Sequence, residues 1–176
     1  RSSLQRPQLA LTRWWRQQVA RFFVLVGQPV RRVDLQSFSI NVDLRDLGVG
    51  RPIFCKRKYE EVESRFFQKH LTAGMTVFDI GANIGYFSIL ASQLTSPSGR
   101  VVSFEPDPYN YSLLSGNVSE NKAHNVTLHP LALGERAGVA TLFKSDKNLG
   151  DHRLLPKGSS SRERVEVQVR SLDELI

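Results

Sequence analysis

Residues 76–88 read Thr76-Val77-Phe78-Asp79-Ile80-Gly81-Ala82-Asn83-Ile84-Gly85-Tyr86-Phe87-Ser88. A short apolar run containing an acid, Asp79, meets a glycine-containing turn and passes straight into a segment of helical spacing from Tyr86 to Leu94. Further on, Ser96-Pro97-Ser98-Gly99 marks a loop, and Val101-Val102-Ser103-Phe104 is a second buried strand closed by Glu105-Pro106-Asp107-Pro108. A helix from about Tyr109 to Asn121 and a third strand at Val126-Thr127-Leu128-His129 follow. Strand, helix, strand, helix, strand with short connections predicts an α/β fold, a parallel βαβαβ core with right-handed crossovers.

Upstream, Ser37 to Leu44 alternates strictly, with Phe38, Ile40, Val42 and Leu44 on one face of a strand. Gly48-Val49-Gly50-Arg51-Pro52 turns it, and Ile53-Phe54-Cys55 is the candidate antiparallel return. Tyr59 to Leu71 reads as a helix with Val62, Phe66, Phe67 and Leu71 inward and Glu60, Glu61 and Glu63 early, where the helix dipole favours acids. From Leu9 to Val26 apolar residues recur at Leu11, Trp15, Val19, Phe22 and Val26 with arginines between them, and Gly27-Gln28-Pro29 ends the helix. Such a helix docks on its own domain, or on a missing part of it, or lies on a membrane surface, and docking is the commoner outcome. Arg21 breaks the run a secretory signal would need. Downstream, Val139–Phe143 and Val165–Val169 alternate and can pair as a hairpin around a polar loop, and Ser171 caps a helix start at Leu172-Asp173-Glu174.

The 176 residues are 40% hydrophobic and 23% charged, a composition that buries a core and excludes wholesale disorder. No apolar run approaches the roughly 18 residues of a membrane span. A single cysteine, Cys55, excludes an internal disulfide and a Cys-cluster zinc site, and favours a reducing, cytoplasmic compartment, with membrane association through the first helix left open. Residues 1–58 hold 12 Lys/Arg against 3 Asp/Glu, whereas residues 59–176 hold 12 against 14. The net charge of +7 therefore belongs to the N-terminal segment. A basic arm of this kind suits nucleic acid, anionic lipid or an acidic partner. The chain opens on Arg1 rather than Met, which points to a piece of a longer gene product.

Ligands of open α/β sheets bind beyond the carboxyl ends of the strands, where Asp79 and the turn Gly81-Ala82-Asn83-Ile84-Gly85 fall. Glycine lets a ligand approach the backbone, and the following helix N-terminus offers N–H groups to an anion. Glu105 ends the second strand 26 residues after Asp79, where a carboxylate can bond ribose hydroxyls. The spacing is Gly-x-Asn-x-Gly rather than the dinucleotide Gly-x-Gly-x-x-Gly. A carboxylate beside the turn repels a pyrophosphate and attracts an amine. S-adenosyl-L-methionine combines an amine, a carboxylate and ribose hydroxyls. The alternative is a glycine turn that only packs helix on sheet.

The run Val77 to Ser88 resembles the first motif of the FkbM-type S-adenosylmethionine-dependent methyltransferases. Val102-Ser103-Phe104-Glu105-Pro106 resembles their second-strand motif, Leu131-Ala132-Leu133-Gly134 the segment after the third strand, and Val169 to Leu175 the approach to the fourth. The resemblance implies a seven-stranded Rossmann-like class I methyltransferase sheet and methyl transfer, commonly to a hydroxyl oxygen of a sugar or small metabolite. It implies cofactor contacts at Asp79, Gly81, Asn83, Gly85 and Glu105, with Leu131 and Ala132 near the adenine. A Lys-Ile-Asp-Val-Glu-Gly-like strand follows in the family, whereas this chain ends at Ile176. The sequence therefore reads as a basic extension over residues 1–58 and the first, cofactor-binding half of a methyltransferase domain over 59–176.

The acceptor side is less legible. Asp151-His152 in the polar loop are candidates for a catalytic base, since histidine titrates near neutrality. His70, His124 and His129 have no companions at metal-ligand spacing, so no metal is expected. Asn110, Asn117 and Asn125 open glycosylation-like triplets that we read as chance. The expected acceptor is a small molecule or glycan, with no nucleic acid. Competing readings are an RNA methyltransferase using the basic arm, a non-catalytic or membrane-apposed docking module, and, more distantly, a dehydrogenase.

Overall fold

The computed structural model describes residues 5–144 and 163–175. Its centre is the expected parallel sheet of β3 (Thr76–Ile80), β4 (Arg100–Phe104) and β5 (Val126–His129), in the order β3-β4-β5. Thr76 to Ile80 pair with Arg100 to Phe104, and Val101 to Phe104 with Val126 to His129. The crossovers are α4 (Tyr86–Thr95) and α5 (Pro108–Glu120). Ile89, Leu90 and Ala91 bury α4, whose Ser92 hydroxyl donates to Asn125 Oδ1 at 2.5 Å just ahead of β5. Asp107 caps α5, its Oδ1 accepting from Tyr109 N and Asn110 N, and Pro108 supplies a first-turn residue that has no N–H to satisfy. These elements form a Rossmann-like α/β core, and among the described residues β3 is an edge strand.

The N-terminal segment departs from the sequence reading in detail. A hairpin is present, but β2 (Ser39–Asp43) pairs with the preceding β1 (Val30–Asp34), Val30 opposite Asp43 and Asp34 opposite Ser39. Ile53-Phe54-Cys55, expected as the returning strand, instead lies within α2 (Gly50–Lys56). Asp46 decides this: its carboxylate gathers the N–H groups of Gly48, Val49 and Gly50 at 2.9–3.2 Å, which sets a helix start rather than a strand. α3 (Glu61–His70) forms as expected, but Val62 and Phe66 are exposed rather than inward. Its buried position is Ser64, bonded to Tyr59 O, and Phe67 meets Phe87 from that side while Val62 and Phe66 fall opposite.

α1 (Gln5–Leu25) lies against α2, with Val19, Ala20, Phe23 and Val24 in the packed face. Leu11, Trp15 and Phe22, expected on one docked stripe with Val19, face solvent instead. The hairpin, α2, α4 and α5 share one hydrophobic cluster that runs from Ala20 to Ala123 across the expected boundary at residue 58.

Two asparagines join these parts. Asn117 Oδ1 accepts from Asn41 N at 2.7 Å, and its amide donates to Asn41 O at 3.1 Å and Ile84 O at 2.8 Å. Four residues on, Asn121 Oδ1 accepts from Ser39 N and its amide donates to Ser39 O. Four helical residues rise about 6 Å and two strand residues about 6.6 Å, so side chains at i and i+4 match backbone groups at j and j−2. The edge of β2 is thus paired by side-chain amides as a neighbouring strand would pair it. Asn110 and Asn117 are buried, which leaves no room for a glycan on either in the folded chain.

A smaller sheet follows, with β6 (Ala132–Leu133) parallel to β8 (Arg164–Arg170), and β7 (Gly138–Phe143) antiparallel to β8. The 139–143 and 165–169 hairpin is therefore present as expected, around a small core of Ala132, Leu142 and Val167. The helix start at Leu172–Glu174 is a single 3-10 turn without a side-chain cap from Ser171, because Glu174 N bonds the Ser171 carbonyl instead.

Replacing Asn117 by alanine strands three backbone groups, two on half-buried Asn41 and one on buried Ile84, and urea unfolding should register a loss of about 2 kcal/mol. A loss below about 0.5 kcal/mol would mean the amide contacts do not hold the hairpin to the core.

Candidate functional site

Beyond the carboxyl ends of β3 and β4 lies a cavity of about 310 Å³. Asp79, Gly81, Ala82, Asn83 and Glu105 line it from the first crossover, and Val49, Tyr59, Glu60, Asn110 and Leu142 from other parts of the chain. The turn after β3 is clamped to the end of β4: Gly81 N and Ala82 N both donate to Phe104 O, at 2.9 and 3.0 Å. Asn83 N then donates to Glu105 Oε2 at 2.8 Å, while Glu105 Oε1 accepts from Asp107 N at 2.9 Å.

Glu105 is only 5% exposed. Burial, opposed by its two backbone N–H donors, pushes its carboxyl up to about 7, and the nearby charges of Asp107 and Asp79 add to the rise. A carboxylate has about four lone-pair directions, so two N–H bonds leave capacity for further donors.

Asp79 is placed by a serine relay. Ser103 Oγ on β4 donates to Ser88 Oγ on α4 at 2.9 Å, and Ser88 Oγ donates to Asp79 Oδ2 at 2.5 Å. Both serines are fully buried. Burial raises the Asp79 carboxyl, and the Ser88 hydroxyl and backbone pull it back. Ser88 and Ser103 fall within the quoted motifs, but nothing in their spacing marks them as partners across two elements.

The glycines divide the work. Gly81 sits at φ +80°, and a Cβ built there meets nothing within 4 Å, so a ligand can approach the main chain. Gly85, at φ +92°, does not line the cavity, because a Cβ there would stand 2.7 Å from Leu114 Cδ1, and the residue serves the close packing of α4 on α5. All five N–H groups of the turn are engaged: Gly81 and Ala82 with Phe104 O, Asn83 with Glu105, Ile84 with Asn83 Oδ1, and Gly85 with Ala82 O. In the first turn of α4 the Ser88 backbone N–H bonds Asp79 and Ile89 N donates to Gly85 O, so an anion would be served by the N–H groups of Tyr86 and Phe87. Leu131 is half-buried, and Ala132 packs into the smaller sheet, from which Leu142 reaches the cavity. Asp151 and His152 lie outside the described residues.

Sequence reading missed Tyr59, Glu60, Asn110 and Leu142 as lining residues. Asn110 had a signal, since the Asp107-Pro108 start fixes which residues form the first turn of α5. Tyr86 and Phe87 both line the cavity and both pack, Phe87 against Phe67 and Tyr86 against Phe38. Cys55 is buried and its thiol is pushed up by that burial, which leaves it inert as a nucleophile.

Residues 79–176 match the family described as Methyltransferase FkbM domain. That stretch is more than half of the chain, and the protein belongs to this methyltransferase family. It is similar to methyltransferase sdnD of Sordaria araneosa, 32% identical over 89 residues that make up 50% of this chain and 34% of that protein. The chain thus spans about a third of the length of this curated relative. Among solved structures it overlaps methyltransferase FkbM of Methylobacillus flagellatus at 16% identity, over 70% of this chain and 31% of that one, with a TM-score of 0.40. TYW2 of M. jannaschii in complex with AdoMet overlaps at 20% identity, over 57% and 42% of the two chains, with a TM-score of 0.46. Neither overlap reaches a TM-score of 0.5, and the family assignment rests on the sequence match.

Ser88→Ala removes the hydroxyl that lowers the Asp79 carboxyl. The Asp79 pKa should rise further in an NMR titration, and stability should fall by about 2 kcal/mol. Because the Ser88 bond favours the ionised form, the loss should be larger in mildly alkaline than in acidic buffer. An equal loss at both would assign Ser88 to packing alone.

Proposed function

We propose that this chain carries the donor half of an S-adenosyl-L-methionine-dependent methyltransferase. The observation that carries the reading is the placement of Asp79 and Glu105 on one cavity, on either side of a turn whose main chain is open at Gly81. The residues fit such a ligand. Glu105, with lone-pair capacity left after two backbone bonds, would accept from ribose hydroxyls. Asp79, fixed by Ser88, would face the ammonium group, and the first turn of α4 would face the carboxylate. When bound, S-adenosylmethionine supplies an activated methyl group on a cationic sulfur.

The chain's own contribution is binding and alignment. In-line displacement needs donor and acceptor held at close range more than it needs covalent help. The proposed acceptor is a hydroxyl of a sugar or small metabolite, supported by family resemblance. Such a hydroxyl holds its proton at neutral pH, so a base in the loop, Asp151 or His152, would take it as the new bond forms.

Calorimetric titration with S-adenosylhomocysteine, with NAD as comparison, tests the donor site. Binding should be selective over NAD and weakened about tenfold or more by Glu105→Ala. Ribose hydroxyls donate to the ionised carboxylate, so affinity should climb as pH rises through about 7, and Glu105→Gln should flatten the climb. Preference for NAD, or an unchanged Glu105→Ala, would sink the assignment. In a methyl-transfer assay over a panel of glycan and small-molecule hydroxyls, Asp151→Asn or His152→Gln should lower turnover and leave S-adenosylhomocysteine binding intact.

A further inference from the structure

α1 is docked by one side only. Val19, Ala20 and Phe23 enter the core, whereas Leu11, Trp14, Trp15, Phe22 and Leu25 stand on the other side, with Trp14 58%, Trp15 62% and Leu25 84% exposed. At 100° per residue these five fall within an arc of roughly 100°, interrupted only by Gln18. Among the described residues this apolar stripe is uncovered, on a helix already anchored to its domain by the other side.

The charge around the stripe says what it meets. The first 33 residues contain seven arginines and no Asp or Glu, and the first acid is Asp34. Arg21 borders the stripe and Arg13 is exposed further round the helix. A second copy of the chain would bring two such arginine-bearing, acid-free helices together. An anionic bilayer offers the opposite charge and an apolar layer beneath it. Tryptophan suits that boundary, because its ring is apolar and its indole N–H stays within reach of polar headgroups. No described helix is long and apolar enough to cross a membrane, and this one is amphipathic, as helices that lie in the interface are.

We infer that α1 seats the protein on an anionic membrane surface, with Leu11, Trp15 and Phe22 inserted among the acyl chains and the arginines on the headgroups. The inference is independent of the donor-site reading, since it uses none of the cavity's residues. It places the enzyme beside lipid-linked or membrane-proximal acceptors.

The chain's two tryptophans are Trp14 and Trp15, so its intrinsic emission reports on this helix directly. Vesicles of phosphatidylcholine with phosphatidylglycerol should shift the emission to the blue, and brominated acyl chains should quench it, whereas phosphatidylcholine alone should do neither. In co-sedimentation, Trp14→Ser/Trp15→Ser and, separately, Arg13→Gln/Arg21→Gln should each lower partitioning about tenfold. Unfolding midpoints should stay unchanged, because these side chains are exposed. Unaltered partitioning in the variants, equal binding to neutral vesicles, or no response to vesicles at all would overturn the inference. So would a blue shift that grows with protein concentration in the absence of lipid, the mark of a second copy, or capture of RNA by a chain that ignores vesicles.

Discussion

The turn after β3 is held by the end of β4. Two N–H groups, those of Gly81 and Ala82, converge on the Phe104 carbonyl, and a third, that of Asn83, reaches the Glu105 carboxylate one residue later. This clamp puts Asp79 and Glu105, from neighbouring strands, on the same cavity. It also explains why Glu105 is both buried and raised: the group that faces the cavity is the group that fastens its rim. A residue with those two duties cannot be optimised for either alone, which is the usual tension between stability and a working site.

The clamp is reinforced from below. Ser103, Ser88 and Asp79 link β4, α4 and β3 through two hydroxyls with no water-sized gap between them. Buried polar chains of this kind stay stable when each member is satisfied, and they fix one geometry where an apolar core would allow several. From the other side, Val49 of the N-terminal segment lines the cavity together with Tyr59 and Glu60, just ahead of α3. That segment is therefore part of the site's wall as well as part of the core.

The strands and helices of the crossover were legible because each is short, uniformly patterned and bounded by turn residues. Thr76–Ile80 and Val126–His129 fall where the sequence places them. The site's acids were legible because strand ends are marked by composition. What was not legible depended on partners distant in sequence. Ile53-Phe54-Cys55 has strand-like composition, and only the Asp46 carboxylate behind it selects a helix. Val62 and Phe66 carry an apolar pattern that points away from the core, because α3 turns Ser64 and Phe67 toward Tyr59 and Phe87. Periodicity reveals that a helix has a face and says nothing of what that face meets, and α1 is the sharpest case of this. The smaller sheet shows the same limit, since its hairpin was readable but the reach of Leu142 into the cavity was not.

The pairing of β2 by Asn117 and Asn121 has a temporal side. The strand is made some 76 to 82 residues before the amides that complete it. As the chain leaves the ribosome, the hairpin emerges with the β2 edge bare, and bare edges are templates for strands of other chains. Sealing waits until α5 has been synthesised and has packed. From the synthesis of residue 43 until residue 121 has emerged and packed, the β2 edge is open to neighbouring nascent chains, and after that it is out of reach.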